Sequence, residues 1–474
     1  MGTSDLREAH ERKPVNTSSS IPSSPALSVN TKRAVLNRVV LSLQKKFYKP
    51  ELLTEEWLQS VESHRPGIEA AATQDDFEQS MMKLLHMLNT SHLGFFHETG
   101  RLASSRAALS ATYLAEETDE GRRWIFQDVH KGGAAAKARI QPGDILLRVN
   151  DREIVPPEHP TFLFGKMSAV EVIPADGRKR TAHIDVAPSK GKRLQFIQPQ
   201  LVEYQLYPND IGYLKVAMFP GMVGVDVATE ISRAIEELGN AKALVIDLRG
   251  NRGGGAGALR VMSLLTPAKI PVGFAPNRKW ASKNLDTAKL SFRRFNRIPS
   301  KKSELWTLAV RFMPSLLSKS PVVLETEGLG PKPFHGKIAL LVDRHTASAA
   351  EMITIFAKEN GLATVVGEKT AGRLLSATST KVGGGFRLAL PTGSYHTWNG
   401  MTLEGNPIEP DLRIDFDWRE RRSGIDAQLQ SAVEFVSKDV SFANKQLRQA
   451  MSSSDSPAIR QVCAAGQYGK RYNS

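Results

Sequence analysis

At 474 residues the chain is too long for one ordinary core, so two or three domains are expected. Its balance of 41% hydrophobic and 24% charged residues is that of a globular protein and excludes collagen-like or broadly low-complexity classes. The net charge of +14 admits nucleic acid or an anionic membrane surface as partner, but the excess is concentrated between Arg278 and Lys302, where basic side chains face only Asp286. No zinc-finger spacing or RNA-binding signature accompanies that stretch, so it reads as a solvated insertion, and no specific nucleic acid is expected. The lone Cys463 allows no internal disulfide, and no Cys/His cluster offers a metal site.

Residues 1–30 are Ser- and Pro-rich and read as a disordered leader. Their opening, MGTSDLREAHERKPVNTSSS, has no apolar segment of the secretory kind, and no apolar run approaches the ~20 residues of a membrane span. Cytoplasmic residence is therefore the default expectation, although a trimmed leader would leave the same sequence. Residues 31–105 read as a helical subdomain: AVLNRVVLSLQKKF and DDFEQSMMKLLHMLN carry apolar positions at helical spacing, the second opening on Asp75 and Asp76. Residues 106–190 change to short strand-like segments, YLAEE, RRWIFQDV, DILLRVN and RTAHIDV, separated by turns. From 195 to 430 the pattern is α/β. Strands IGYLKVAMF, ALVIDLR, KIALLVD and ATVVGE alternate with helices VATEISRAIEELGNA, ALRVMSLL and TASAAEMITIFAKEN, which predicts a largely parallel sheet. Residues 431–474 read as a polar tail, helical to about 450.

Four segments carry candidate chemistry. In DRHTASAAEM a buried strand ends at Asp343 and a helix begins near Ser348. Free amides and the dipole at a helix start favour an anion there, although Ser348 or Thr346 would equally serve as an ordinary N-cap. In DLRGNRGGG the glycines allow backbone N–H groups to approach a substrate closely, although a tight strand-to-helix turn needs them too. In NTSHLGFFHE, His92 follows Ser91, and a neutral imidazole is the usual base for a serine nucleophile; His97 and His345 compete for that role. GGAAAKARIQPGDILLRVN packs a short helix of small residues against an apolar strand.

The order of these segments resembles that of the C-terminal-processing (tail-specific) and tricorn-type serine peptidases. GGAAAKARIQPGDILLRVND is similar to that family's PDZ core, LVIDLRGNRGG to its strand and glycine turn, and HTASAAEM to its nucleophile segment; VVGEKTAG and LEGNPIEPD resemble later markers. The resemblance spans roughly residues 35–420. It implies a crotonase-like ββα catalytic core over 195–430, a PDZ-like domain over 106–190 and the helical subdomain before it.

Two mechanisms occur in the family. One uses a Ser–Lys dyad, whose lysine would fall at Arg373; a guanidinium cannot act as general base, and Lys369 is out of place. The tricorn-type tetrad implies Ser348 as nucleophile, His92 as base, and Ser91 with Glu404 as the orienting pair, Glu409 lying close by as an alternative. It also implies an oxyanion hole from the amides of Ala349 and of Gly253 or Gly254. The resemblance implies no cofactor and no metal. The expected partner is a peptide or unfolded protein with a free C-terminus, cleaved near that end. The competing expectation is a PDZ-containing, peptide-binding relative whose catalytic site has decayed.

Overall fold

The computed structural model describes residues 26–100, 102–188, 198–276, 278, 293–310, 322–330 and 336–438. Most of the expected leader, the centre of the basic insertion, Cys463 and the end of the expected tail lie outside the described residues.

A six-stranded sheet forms the centre. From edge to edge it runs Val202–Tyr207, Ile211–Val216, Ala243–Asp247, Ile338–Val342, Thr364–Gly367 and Leu412–Arg413. The first pair is antiparallel and the rest are parallel. Residues ALVID and IALLV are buried at every position, as expected of parallel strands covered on both faces. Leu244, Ile246 and Leu340 pack under the helices Val225–Glu237, Ala258–Leu265 and Ala349–Glu359. The alternate positions, Ala243, Val245, Ala339 and Leu341, pack against Ala432 and Val436. Residues 427–438 are helical, so the start of the segment expected as a tail covers the second face of the sheet.

The helices Val29–Lys46, Glu55–Ala70 and Gln74–His86 make up the N-terminal part. The last is fixed by a capping box: the Thr73 hydroxyl accepts from the Asp76 amide, and the Asp76 carboxylate accepts from the Thr73 amide. This part does not close on itself. Its apolar residues share one core with Phe386, Leu388 and Leu390 of the hairpin Leu375–Gly383/Phe386–Ser394, and Gly94–His97 adds a third strand to that hairpin. Pairing across nearly 300 residues of sequence ties the N-terminal part to the half that holds Ser348.

The β-rich unit has strands Ala111–Thr118, Gly121–Val129, Ile145–Val149, Met167–Ile173 and Arg180–Asp185, with a short helix Ala134–Lys137. Leu102–Ser104 pairs with Thr161–Leu163 inside it, so the unit begins a few residues before the expected boundary at 106. Buried charges join it to the central sheet. Lys215 Nζ donates to both oxygens of Asp128, at 3.0 and 3.2 Å, while Arg249 bridges Asp247 and Asp426. Burial alone would raise the Asp128 carboxyl, but Lys215 and His130 hold it well below the usual carboxylate range. Among the described residues no helix is long and apolar enough to cross a membrane.

Candidate active site

The strand Ile338–Val342 ends at Asp343, whose buried carboxylate accepts from the amides of Gly250, His345 and Thr346 and from the Thr346 hydroxyl. That carboxylate ties the loop before Ser348 to the glycine turn after Ala243–Asp247. Thr346 is thereby occupied inside the loop. Ser348 stands at the start of the helix with φ 58° and ψ −123°, a left-handed conformation that costs a non-glycine residue of order 1–3 kcal/mol. Ser348 lines both cavities described below.

A carboxylate that the sequence reading passed over holds this turn. Glu351, fully buried in the first helical turn, accepts from Ser348 N at 3.0 Å, Arg373 N at 2.9 Å, Gly372 N at 2.7 Å and the Thr370 hydroxyl at 2.6 Å. Burial pushes its carboxyl up, against the pull of those four donors. Loop 370–373 is thus locked beside the serine, with the Arg373 carbonyl accepting from Ser348 N. Lys369 is exposed and lines neither cavity described below.

The base candidates separate clearly. His97 donates Nε2–H to the Gly384 carbonyl and packs on Phe386, on the hairpin. His345 donates Nε2–H to the Tyr113 carbonyl at 3.0 Å and so is committed to the edge strand of the β-rich unit. His92, with φ 61° in the turn before Gly94–His97, instead faces the cleft. Its Nδ1 lies 2.6 Å from Ser91 Oγ, and Ser91 Oγ donates to Glu404 Oε2 at 2.7 Å. A carboxylate only accepts, so the single Ser91 proton goes to Glu404 and His92 must donate from Nδ1. Nε2 is then unprotonated and free to take a proton. Glu404 also accepts from Ser91 N at 2.7 Å and Leu374 N at 3.1 Å. Glu409 is exposed and does not reach this chain; its carbonyl accepts from Lys358. Burial, with Arg252 and Arg373 nearby, lowers the His92 pKa against the opposing pull of Glu404, which shifts the balance toward the neutral imidazole.

Two cavities meet at Ser348, His92 and Arg252. The first, of about 790 Å³, is lined by Thr90, Ser91, Gly372, Arg373 and Glu404. The second, of about 620 Å³, is more apolar, with Met222, Val322, Leu324, Met352 and Leu374, together with Gly254 and Ala349. The expected amide donors are not equivalent. Gly253 N already donates to Asn251 Oδ1 at 2.7 Å, and a Cβ on Gly253 would lie 2.5 Å from Ala349 N, so this glycine serves close packing. Gly254 borders the cavity, and among the described residues its amide has no partner. Ala349 N is one of the first amides of its helix, which have no intrahelical acceptor. Asn251 is a second organiser the sequence reading missed: its Nδ2 donates to the Val216 carbonyl, and its own carbonyl accepts from Ala347 N. Among the described residues no group of three or more His, Cys, Asp or Glu side chains could hold a metal ion.

Residues 210–414 match the profile of Peptidase family S41. The chain is 24% identical over 422 residues to "Putative tricorn protease homolog 2" of Streptomyces coelicolor, covering 82% of this chain and 31% of that one. It is 25% identical over 298 residues to "Carboxyl-terminal-processing peptidase 1, chloroplastic" of Arabidopsis thaliana, covering 60% and 51%. The chain thus spans between about a third and a half of the length of these relatives. Among solved structures, the photosystem II D1 C-terminal processing protease shares the mixed α/β fold, with a TM-score of 0.50 at 15% identity over 81% of this chain and 93% of that one. Five of the six strands of the sheet, the glycine turn and the Ser348 turn fall within residues 210–414, which are thus similar to a domain of peptidase family S41.

Proposed function

We propose that the protein is a serine endopeptidase that cleaves peptides or unfolded proteins near their C-termini. Ser348 is the nucleophile, His92 the base, and Ser91 with Glu404 the pair that fixes the His92 tautomer. The observation that carries this is the hydrogen-bonded chain Glu404–Ser91–His92, which ends at the junction of the two cavities that Ser348 also lines. His92 Nε2 takes the Ser348 proton as Oγ attacks the scissile carbonyl, and the imidazolium then protonates the leaving amine. The amides of Ala349 and Gly254 receive the oxyanion. They border the apolar cavity, which accordingly accepts the side chain on the acyl side of the bond. The Thr90–Glu404 cavity, which holds the Ser91 and Glu404 that orient the base, takes the leaving peptide.

In this proposal residues 195–430 form the crotonase-like core and the β-rich unit is PDZ-like. That unit is coupled to the nucleophile loop, because the Tyr113 carbonyl of its edge strand accepts from His345. A peptide adding to that edge must therefore pair away from Tyr113 or displace His345.

Labelling with a fluorophosphonate probe tests the proposal, since covalent capture requires an activated serine. Wild-type protein is expected to label and Ser348→Ala to be silent while remaining folded. Equal labelling of both, or none of either, removes Ser348 from the nucleophile role.

A further inference from the structure

The basic stretch that composition reads as a solvated insertion leads into a structured surface. Strand Arg293–Phe295 pairs with Val322–Glu325, and residues 305–310 are helical. Leu305 and Leu308 of that helix pack against the main core. Trp306 and Val310, one turn apart on its other side, face solvent at 74% and 49% exposure. An indole is a large apolar body that proteins ordinarily bury for the most part, so its exposure here calls for a cover. Strand and helix together border a cavity of about 320 Å³, lined by Arg294, Asn296, Arg297, Glu304 and Thr307. Arg293, Arg294, Arg297, Lys301 and Lys302, which precede the helix in sequence, are all exposed. Glu325 pairs with Arg294 and Asp226 with Lys302. Arg297 and Lys301 have no hydrogen-bond or ion-pair partner among the described residues.

Charge and shape together select what covers this face. A second copy of the chain would set like charges against one another across the patch. A nucleic acid would satisfy the cations, and Trp306 would stack on a base, but exposed Ala309 and Val310 add an aliphatic surface that a phosphodiester chain does not match. An anionic bilayer matches every part. Tryptophan settles at the headgroup level, aliphatic side chains enter the acyl boundary, and lysine and arginine meet the negative surface potential. A guanidinium is also a planar fork of donors suited to a phosphate. We propose that Trp306 and Val310, with Arg297 and Lys301, form an interfacial docking surface for a membrane rich in anionic phospholipid, one lipid phosphate entering the cavity beside Arg297. The strand Val322–Glu325, paired with Arg293–Phe295, contributes Val322 and Leu324 to the apolar cavity at Ser348. The docking face is thus joined through one strand pair to a wall of the cleft, which favours protein segments held at the bilayer surface. Such docking goes beyond the function proposed above and does not depend on the role of Ser348.

The experiment measures co-sedimentation of the full chain with large unilamellar vesicles, either of phosphatidylcholine alone or of phosphatidylcholine mixed with phosphatidylserine. Partitioning onto the mixed vesicles should be at least about tenfold stronger, with the advantage shrinking as salt rises. Trp306→Ser should weaken it by about tenfold, and Arg297→Gln and Lys301→Gln by roughly fivefold each. All three side chains are exposed, so the variants should melt with the wild type. Brominated phosphatidylcholine in the mixed vesicles should quench tryptophan fluorescence in the wild type and much less in Trp306→Ser, which separates insertion of the indole from attraction by charge alone. Absence of binding to either vesicle, equal binding to both, or binding unchanged in the three variants overturns the proposal. Tighter binding to a short DNA duplex than to the mixed vesicles would assign the face to nucleic acid. A dimer in sedimentation velocity that Trp306→Ser dissolves would assign it to a second copy, and either result equally overturns membrane docking.

Discussion

Replacing Glu404 by glutamine tests the proposed tautomer relay with almost no change of shape. The carboxylate accepts from Ser91 Oγ and Leu374 N through Oε2, and from Ser91 N through Oε1. Glutamine has one acceptor oxygen, so one of these sides must face an NH₂ group. If the nitrogen replaces Oε2, the Ser91 proton turns toward His92 Nδ1, and the imidazole is driven to the tautomer protonated at Nε2, which cannot accept from Ser348. If it replaces Oε1, the Ser91 amide loses its acceptor, a loss of about 1–3 kcal/mol for a buried donor. Both placements remove the negative charge that steadies the imidazolium. Loss of the correct tautomer in a serine–histidine–acid triad lowers kcat by roughly 10⁴, and a fall of about 10²–10⁴ is expected here. The assay is kcat on a fluorogenic peptide, with thermal melting to confirm folding. Glu409→Gln is the control: its side chain is exposed, and kcat should stay within about twofold. A folded Glu404→Gln variant within about threefold of wild type, or a Glu409→Gln variant equally damaged, would refute the relay.

Arg252 depresses the His92 pKa, so Arg252→Gln should raise it. Because the neutral imidazole is the working form, activity is lost as pH falls through that pKa, and the acid limb of the kcat/KM profile should move to higher pH; an unmoved or lowered limb contradicts the electrostatic assignment. Gly254→Ala should reduce kcat by about 10²–10³, because a Cβ there meets the Phe219 carbonyl oxygen at 1.9 Å and φ is +137°, so the amide must move away from the oxyanion. A folded Gly254→Ala variant with unchanged kcat would assign the second donor elsewhere. A chain beginning at residue 106 should lose both fluorophosphonate labelling and thermal stability, since it strips Phe77, Met81 and Leu84 from the face of Phe386, Leu388 and Leu390; cooperative melting at the wild-type temperature would show that the hairpin needs no cover.

The sheet was legible because its strands are buried on both faces. ALVIDLR, KIALLVD and ATVVGE are continuous apolar runs, and the helices between them carry the 3.6-residue period. The pairing of Gly94–His97 with Phe386–Ser394 was not, since register between segments almost 300 residues apart leaves no local pattern. For the same reason the helical N-terminal part read as self-contained. At the site, residue types and segment order pointed to Ser348, Ser91, His92 and Glu404. They did not distinguish His92 from His345, because the Tyr113 carbonyl that occupies His345 comes from another unit. Nor did they distinguish Gly253 from Gly254, since only folding commits the Gly253 amide to Asn251. Glu351 was hidden as one more polar residue in a helix; an acid three residues after a serine at a helix start is the signal available in advance, through the capping box.

The residues proposed as nucleophile and base are both non-glycine residues with left-handed backbone, Ser348 at φ 58° and His92 at φ 61°. Each is an unfavourable conformation that persists only where neighbours over-determine it. For Ser348 the constraint is Glu351, which collects donors from both the serine and loop 370–373. For His92 it is Glu404, which takes the amide and the hydroxyl of the preceding residue at 2.7 Å each and is itself joined to Leu374 N, the residue after Arg373. The two carboxylates therefore grip adjacent amides of one loop, Glu351 those of Gly372 and Arg373, Glu404 that of Leu374. Loop 370–374 is the common strut between a turn near the start of the chain and the helix that begins at Ser348. Strain at one end cannot relax without disturbing the other, so the separation between the Ser348 hydroxyl and the His92 ring is set by three consecutive backbone N–H groups rather than by the mobility of either side chain.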